Sequence, residues 1–79
     1  MNISEQCGHN VAIAIFHAYI GLGWLMDGPD CAHFVQLASK EAVYGAKYWT
    51  MVEPEKHKYD LTIVEASARS MAEKLLEVC

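Results

Sequence analysis

The sequence predicts an all-α fold of three helices, near residues 3–26, 30–52 and 61–79. Two breaks, "MDGPDCAH" and "VEPEKHKYD", divide the chain into three long segments. The last of these repeats its apolar residues at the helical period. The chain has 79 residues, which is one domain's length.

The first segment holds "VAIAIFHAYIGLGWLM", Val11 to Met26, without a charge and with His17 as its one clearly polar side chain. Its least apolar line, Gln6, Asn10 and His17, also contains Ile13 and Trp24. The run is shorter than the ~20 residues needed to cross a bilayer, and no basic residue flanks it. A buried helix is therefore expected, not a membrane span.

Gly28 and Pro29 stop the first helix, and Pro29 suits the first turn of the next. Asp27 and Asp30 place negative charge at that helix N-terminus. Phe34, Val35, Leu37, Ala38, Ala42, Tyr48, Trp49 and Val52 form its apolar half. His33, Gln36, Lys40 and Lys47 form the solvated stripe opposite.

Pro54 lies in a charged loop, after which Asp60 caps the third helix directly or Thr62 and Glu65 form a capping box. Leu61, Val64, Ala68, Met71, Leu75 and Val78 share one narrow arc, extended by Ala72 and Cys79. Glu65, Arg69, Glu73 and Glu77 line another face, with Glu65 and Arg69 in the favourable i,i+4 order. A minority α+β reading puts a hairpin around 47–64, because "KYWTMV" and "HKYDLTIV" are rich in β-branched and aromatic residues. Such a hairpin is marginal unless helices pack on it.

One spacing occurs twice. Ala14, Ala18 and Gly21 repeat as Ala38, Ala42 and Gly45, each trio followed by a tryptophan. At 3.6 residues per turn each trio makes a stripe of small side chains, which lets helix axes approach closely. The contact lies either within one chain or across a two-fold axis.

A chain of this size buries only about 60–65% of its unfolded surface, yet 53% of its residues are hydrophobic. A three-helix bundle leaves roughly a third of each helix outward, and the first helix has nothing polar to put there. Ile13, Phe16, His17, Ile20 and Trp24 are therefore expected at an oligomer interface, making the protein a dimeric helical bundle.

The net charge is −4, and residues 1–39 contain no Lys or Arg. Direct nucleic-acid binding relies on clustered cations and is not expected. An acidic surface favours a basic protein partner, including one that itself binds nucleic acid. Tyr44 and Met51, towards the polar side of the second helix, and the acids Glu53, Glu55, Glu65, Glu73 and Glu77 are the candidate partner-binding residues. Cys7, Cys31 and Cys79 are odd in number and widely spaced, and "MNISEQCGHN" lacks the positive start of a signal peptide. A reducing, cytoplasmic setting is expected.

Catalytic signatures are missing from the sequence. "CGH" and "CAH" place Cys and His two residues apart, on opposite sides of a helix, so neither pair chelates one ion there. No metal or cofactor is expected. A nucleophilic pair of Cys31 with His9 or His17 lacks an orienting acid and an oxyanion donor. There is no P-loop, dinucleotide fingerprint or EF-hand loop.

The expectation is a small acidic, non-enzymatic interaction module that binds and inhibits or modulates a larger protein. In size, acidity and lack of catalytic parts it resembles, in kind, the small inhibitors that phages make against bacterial machinery. Two alternatives are a small-molecule or metal sensor using His and Cys in an apolar pocket, and a subunit of an obligate hetero-complex.

Overall fold

The computed structural model describes residues 2–24 and 27–77. It contains α1 (Ile3–Leu22), α2 (Gly28–Val52) and α3 (Leu61–Glu77), and no strand among the described residues. The chain is all-α. The hairpin around 47–64 does not form: α2 continues to Val52, and a loop leads to α3.

Local chemistry fixes each helix end. The Asn2 side chain accepts the Glu5 N–H at 2.9 Å and starts α1. The helix stops at Leu22, short of the expected boundary near 26, because Gly23 turns left-handed at φ 71°. Gly23 N–H then reaches the Ile20 carbonyl, and Trp24 N–H the Tyr19 carbonyl, both at 3.0 Å. This double closure brings with it an apolar contact, the edge of Trp24 against Tyr19 at 5.2 Å between ring centroids. Leu25 and Met26, which the sequence put in the same helix, lie outside the described residues.

Asp27 caps α2 by accepting the Asp30 N–H at 2.9 Å, with Pro29 in the first turn. Asp60 caps α3 directly, its Oδ1 accepting from Thr62 at 3.0 Å and Ile63 at 3.3 Å. Of the two starts offered by the sequence, the direct cap is the one formed. Val78 and Cys79, assigned to the end of the third helix, lie outside the described residues.

α1 and α3 run parallel and share the most extensive contact, with α2 antiparallel to both. The Asp60 N–H donates to Ser4 Oγ at 2.8 Å, and Ser67 Oγ donates to the Glu5 carbonyl at 2.6 Å. These bonds set the two helix starts level. One turn on, Gly8 lies directly on α3. A Cβ there would meet the Val64 carbonyl oxygen, 2.7 Å from the Ala68 nitrogen and 3.0 Å from Ser67 Cβ. Only glycine admits so close an approach.

The core follows from that approach. Ser4, Gly8 and Ala12 on α1, Ala38, Ala42 and Ala46 on α2, and Val64, Ala68 and Ala72 on α3 are all buried, each trio spaced by four. Phe34 and Val64 are the largest side chains fully enclosed. Ala14, Ala18 and Gly21 are exposed, so that trio makes no helix contact within the chain. Ala38 and Ala42 are in the core, but Gly45 is half-buried and its missing Cβ would meet nothing within 4 Å.

Tyr48, Trp49 and Val52, expected on the buried half of α2, are instead about half exposed. Trp49 and Val52 do lie on the packing arc. They occupy the last turn, however, and the loop residue His57, 5.6 Å from Trp49 between centroids, partly covers the end.

Two substitutions test this packing. Gly8→Ala would gain up to about 1 kcal/mol of helix propensity on an open helix. Here the overpacking term, about 1–3 kcal/mol, wins and urea denaturation should show a net loss of stability. Gly45→Ala, with open space for its methyl, should raise the urea midpoint. The buried Thr50 hydroxyl has no hydrogen-bond partner among the described residues. Thr50→Val keeps the shape and removes that unmet group, and should stabilise the fold by about 1 kcal/mol in the same titration.

Candidate functional site

The small core sends large apolar side chains outward. On α1, residues 100° apart on the helical wheel put His17 opposite Gly8, at the centre of the outer face. His17 is exposed, flanked by half-buried Ile13 and by Ile20, which is 50% exposed. Ala14, Ala18 and Gly21 continue this surface on one side. Phe16 turns inward, half-buried against Phe34 at 5.7 Å between centroids. Trp24 lies over Tyr19 at the end of the helix and stays half exposed. From Ile13 to Trp24 the face carries no charge.

The expected interface residues therefore divide. Ile13, His17 and Ile20 form one outward surface, Trp24 caps its end, and Phe16 belongs mainly to the core edge. His17 is no buried polar residue: its ring lies 6.2 Å from Phe16 and otherwise faces outward.

A second exposed apolar group lies along the C-terminal half of α2. Tyr44 and Met51 are 73% and 74% exposed, and Tyr48 stands edge-on to Trp49 at 5.4 Å. Of the acids assigned with Tyr44 and Met51, Glu65 shares a groove with Tyr44. Glu65, Glu73 and Glu77 follow α3, while Glu53 and Glu55 lie in the loop after α2. Glu53 is engaged locally, 3.6 Å from Lys56 Nζ and 3.7 Å from His57 Nε2.

One cluster had no signal in the sequence reading. His57 stacks on Tyr59 at 5.8 Å between centroids, with Nδ1 3.3 Å from the Tyr59 hydroxyl, while Trp49 packs on His57 at 5.6 Å, tilted by 52°. Cys7 from α1 and Tyr59 both pack against the cluster of Ala42, Ala46, Val64 and Ala68, and line one shallow pocket. Burial pushes the Cys7 thiol up from its ordinary value. Burial, and secondarily the negative charge that Cys7 carries once ionised, pushes the Tyr59 hydroxyl up. Both groups are held neutral, and a protonated thiol is a weak nucleophile. The cluster partly covers the base of the bundle.

Cys7 and Cys31 are free and half-buried. Among the described residues no group of three His, Cys, Asp or Glu side chains is placed to hold a metal ion, and no helix is long and apolar enough to cross a membrane. Its outward chemistry is thus an uncharged face on α1 and an aromatic, mixed-charge surface on α2 and α3. No family model, curated protein or solved structure matches the chain.

Proposed function

We propose that the chain is a non-enzymatic protein-interaction module that self-associates through the outer face of α1 and binds a larger protein, whose activity it inhibits or modulates. The observation that carries this reading is the uncharged outer face itself. Ile13, His17 and Ile20 face outward with no Lys, Arg, Asp or Glu between residues 11 and 26 to solvate them.

The energetics favour a second chain as the cover. Fully burying a large aliphatic or aromatic side chain is worth roughly 1.5–3 kcal/mol. Ile20, Leu22 and Trp24 each leave half or more of their surface exposed, so covering them recovers a sizeable part of that. A domain of this size has only ~5–10 kcal/mol of stability in all. A two-fold seam would bury the same residues from both copies, and the exposed Ala14, Ala18 and Gly21 would let the two α1 axes approach closely. The net charge of −4 supports a basic partner for the acidic side of α3, around Glu73 and Glu77.

Sedimentation equilibrium over a wide concentration range tests the seam. The wild type should weigh twice the 8.8 kDa chain or more. Ile20→Glu would bury unpaired charge against its copy and should shift the population to monomer, as should Ala18→Leu by overpacking. Tyr44→Ala, off the seam, should leave the mass unchanged. A wild type that stays at 8.8 kDa at the highest concentration contradicts self-association.

A further inference from the structure

We propose that the groove between α2 and α3 is a docking site for an acidic amphipathic helix of a protein partner. The inference rests on reading the chain as an interaction module, but it concerns a surface separate from the α1 seam and of opposite charge to the molecule as a whole.

The groove encloses about 530 Å³. Lys40 and Lys47 come from α2 and Arg69 from α3, with Glu65 the one acid on its wall. Half of the chain's six Lys and Arg residues thus face a single groove in a protein of net charge −4. Among the described residues the ion pairs are those of Glu53 with Lys56 and His57, so none of the three cations is paired. Even Glu65 and Arg69, one turn apart, make no such bridge. Three cations against one carboxylate leave the groove net positive, which favours an anionic occupant.

The floor and centre narrow the class of occupant. Ser39, 4% exposed, lines the floor of the groove. Val43 and the strongly exposed Tyr44 give the middle an apolar contact surface. Lys40 and Lys47 lie seven residues apart, about 10 Å along the helix. A free phosphate would meet one cation and leave Val43 and Tyr44 uncovered. A nucleic acid would meet the repulsion of the acidic remainder. A helix laid between two antiparallel helices packs as the fourth member of a bundle. Its carboxylates, two turns apart, would reach Lys40 and Lys47, with an apolar residue between them on Val43 and Tyr44. Arg69 offers its planar fork to a further carboxylate.

The test is a titration of ¹⁵N-labelled protein with a synthetic helical peptide carrying a Leu/Ala face and Glu residues two turns apart. The same peptide with Lys for Glu, and inorganic phosphate, serve as the other probes. Saturable amide shifts confined to residues 36–47 and 65–69 are expected with the Glu peptide alone. The double variant Lys40→Glu with Lys47→Glu should weaken binding at least about tenfold, whereas Glu77→Lys, outside the groove, should not. Arg69→Gln, a milder change, gives the same reading of the groove should the double variant fail to fold. The proposal is overturned if the Lys peptide binds as well, if phosphate alone reproduces the shifts, if the shifts map to α1, or if the groove variants keep full affinity. It also falls if the groove variants dissociate an oligomer, since the occupant is then a second copy. Sedimentation of the same samples separates the two readings. A self-associating chain that ignores the peptide loses only the groove, and a monomer that binds it loses only the seam.

Discussion

The contact between Gly8 and α3 is the constraint on which the rest of the molecule depends. Two helices held so close at one level must be lined by small residues above and below it, and Ser4, Ala12, Ala68 and Ala72 meet that condition. The hydroxyls of Ser4 and Ser67 then complete the approach, bonding to backbone groups of the other helix at 2.8 and 2.6 Å. A larger residue at either position would lose the bond and widen the gap together. Close axes gain dispersion contacts between backbones at little cost in side-chain entropy, because alanine and glycine have no rotamers to lose. What they do not supply is much apolar area. Six of the nine buried hydrophobic residues are alanine, each adding little more than one methyl group, so the core is dense but small.

The ends of the bundle solve a different problem. Away from the tight middle, larger groups fill the space between helices. Phe34 packs against Phe16 and Tyr19, with centroids 5.7 and 5.6 Å away, where the end of α1 meets the first half of α2, and Trp24 and His33 close over Tyr19. At the other end Trp49, His57 and Tyr59 do the same for the start of α3. Aromatic pairs at tilted and edge-on angles contribute about 0.5–1.5 kcal/mol each beyond their buried area, which matters in a core of alanines. The base is the more open of the two, because α2 extends to Val52 while only a loop lies opposite its last turn.

Much of this was legible in the residues. The three helices, the Asp27 and Asp60 caps and the inward arc of α3 follow from punctuation and periodicity, which are local properties. α1 ends at Leu22, ahead of the Gly28–Pro29 break that marks its end in the sequence, because Gly23 takes the left-handed turn, a choice the apolar run around it does not signal. The small stripes show a deeper limit. Ala14, Ala18 and Gly21 have helical spacing, and so do Ser4, Gly8 and Ala12, but only the position of α3 decides which of them faces inward. In the same way Lys40, Lys47 and Arg69 were visible as charges, while their convergence on one groove depends on how α2 lies against α3.

The charge map and the packing map then coincide. Since no Lys or Arg precedes Lys40, Glu5 is the one Asp, Glu, Lys or Arg side chain of α1, and it lies in the first turn. α1 cannot sink inward to escape water, because Gly8 already brings its backbone to the limit of approach to α3. Nor can α2 wrap around it, since α2 is held on the other side by its own alanine stripe against Val64 and Ala68. The apolar outer face of α1 is thus a direct consequence of the closeness of its inner face. A core built from larger side chains would stand the helices further apart and leave room for Ile13 and Ile20 to turn inward. The alanine core removes that option and leaves Ile20 half exposed on the outer face.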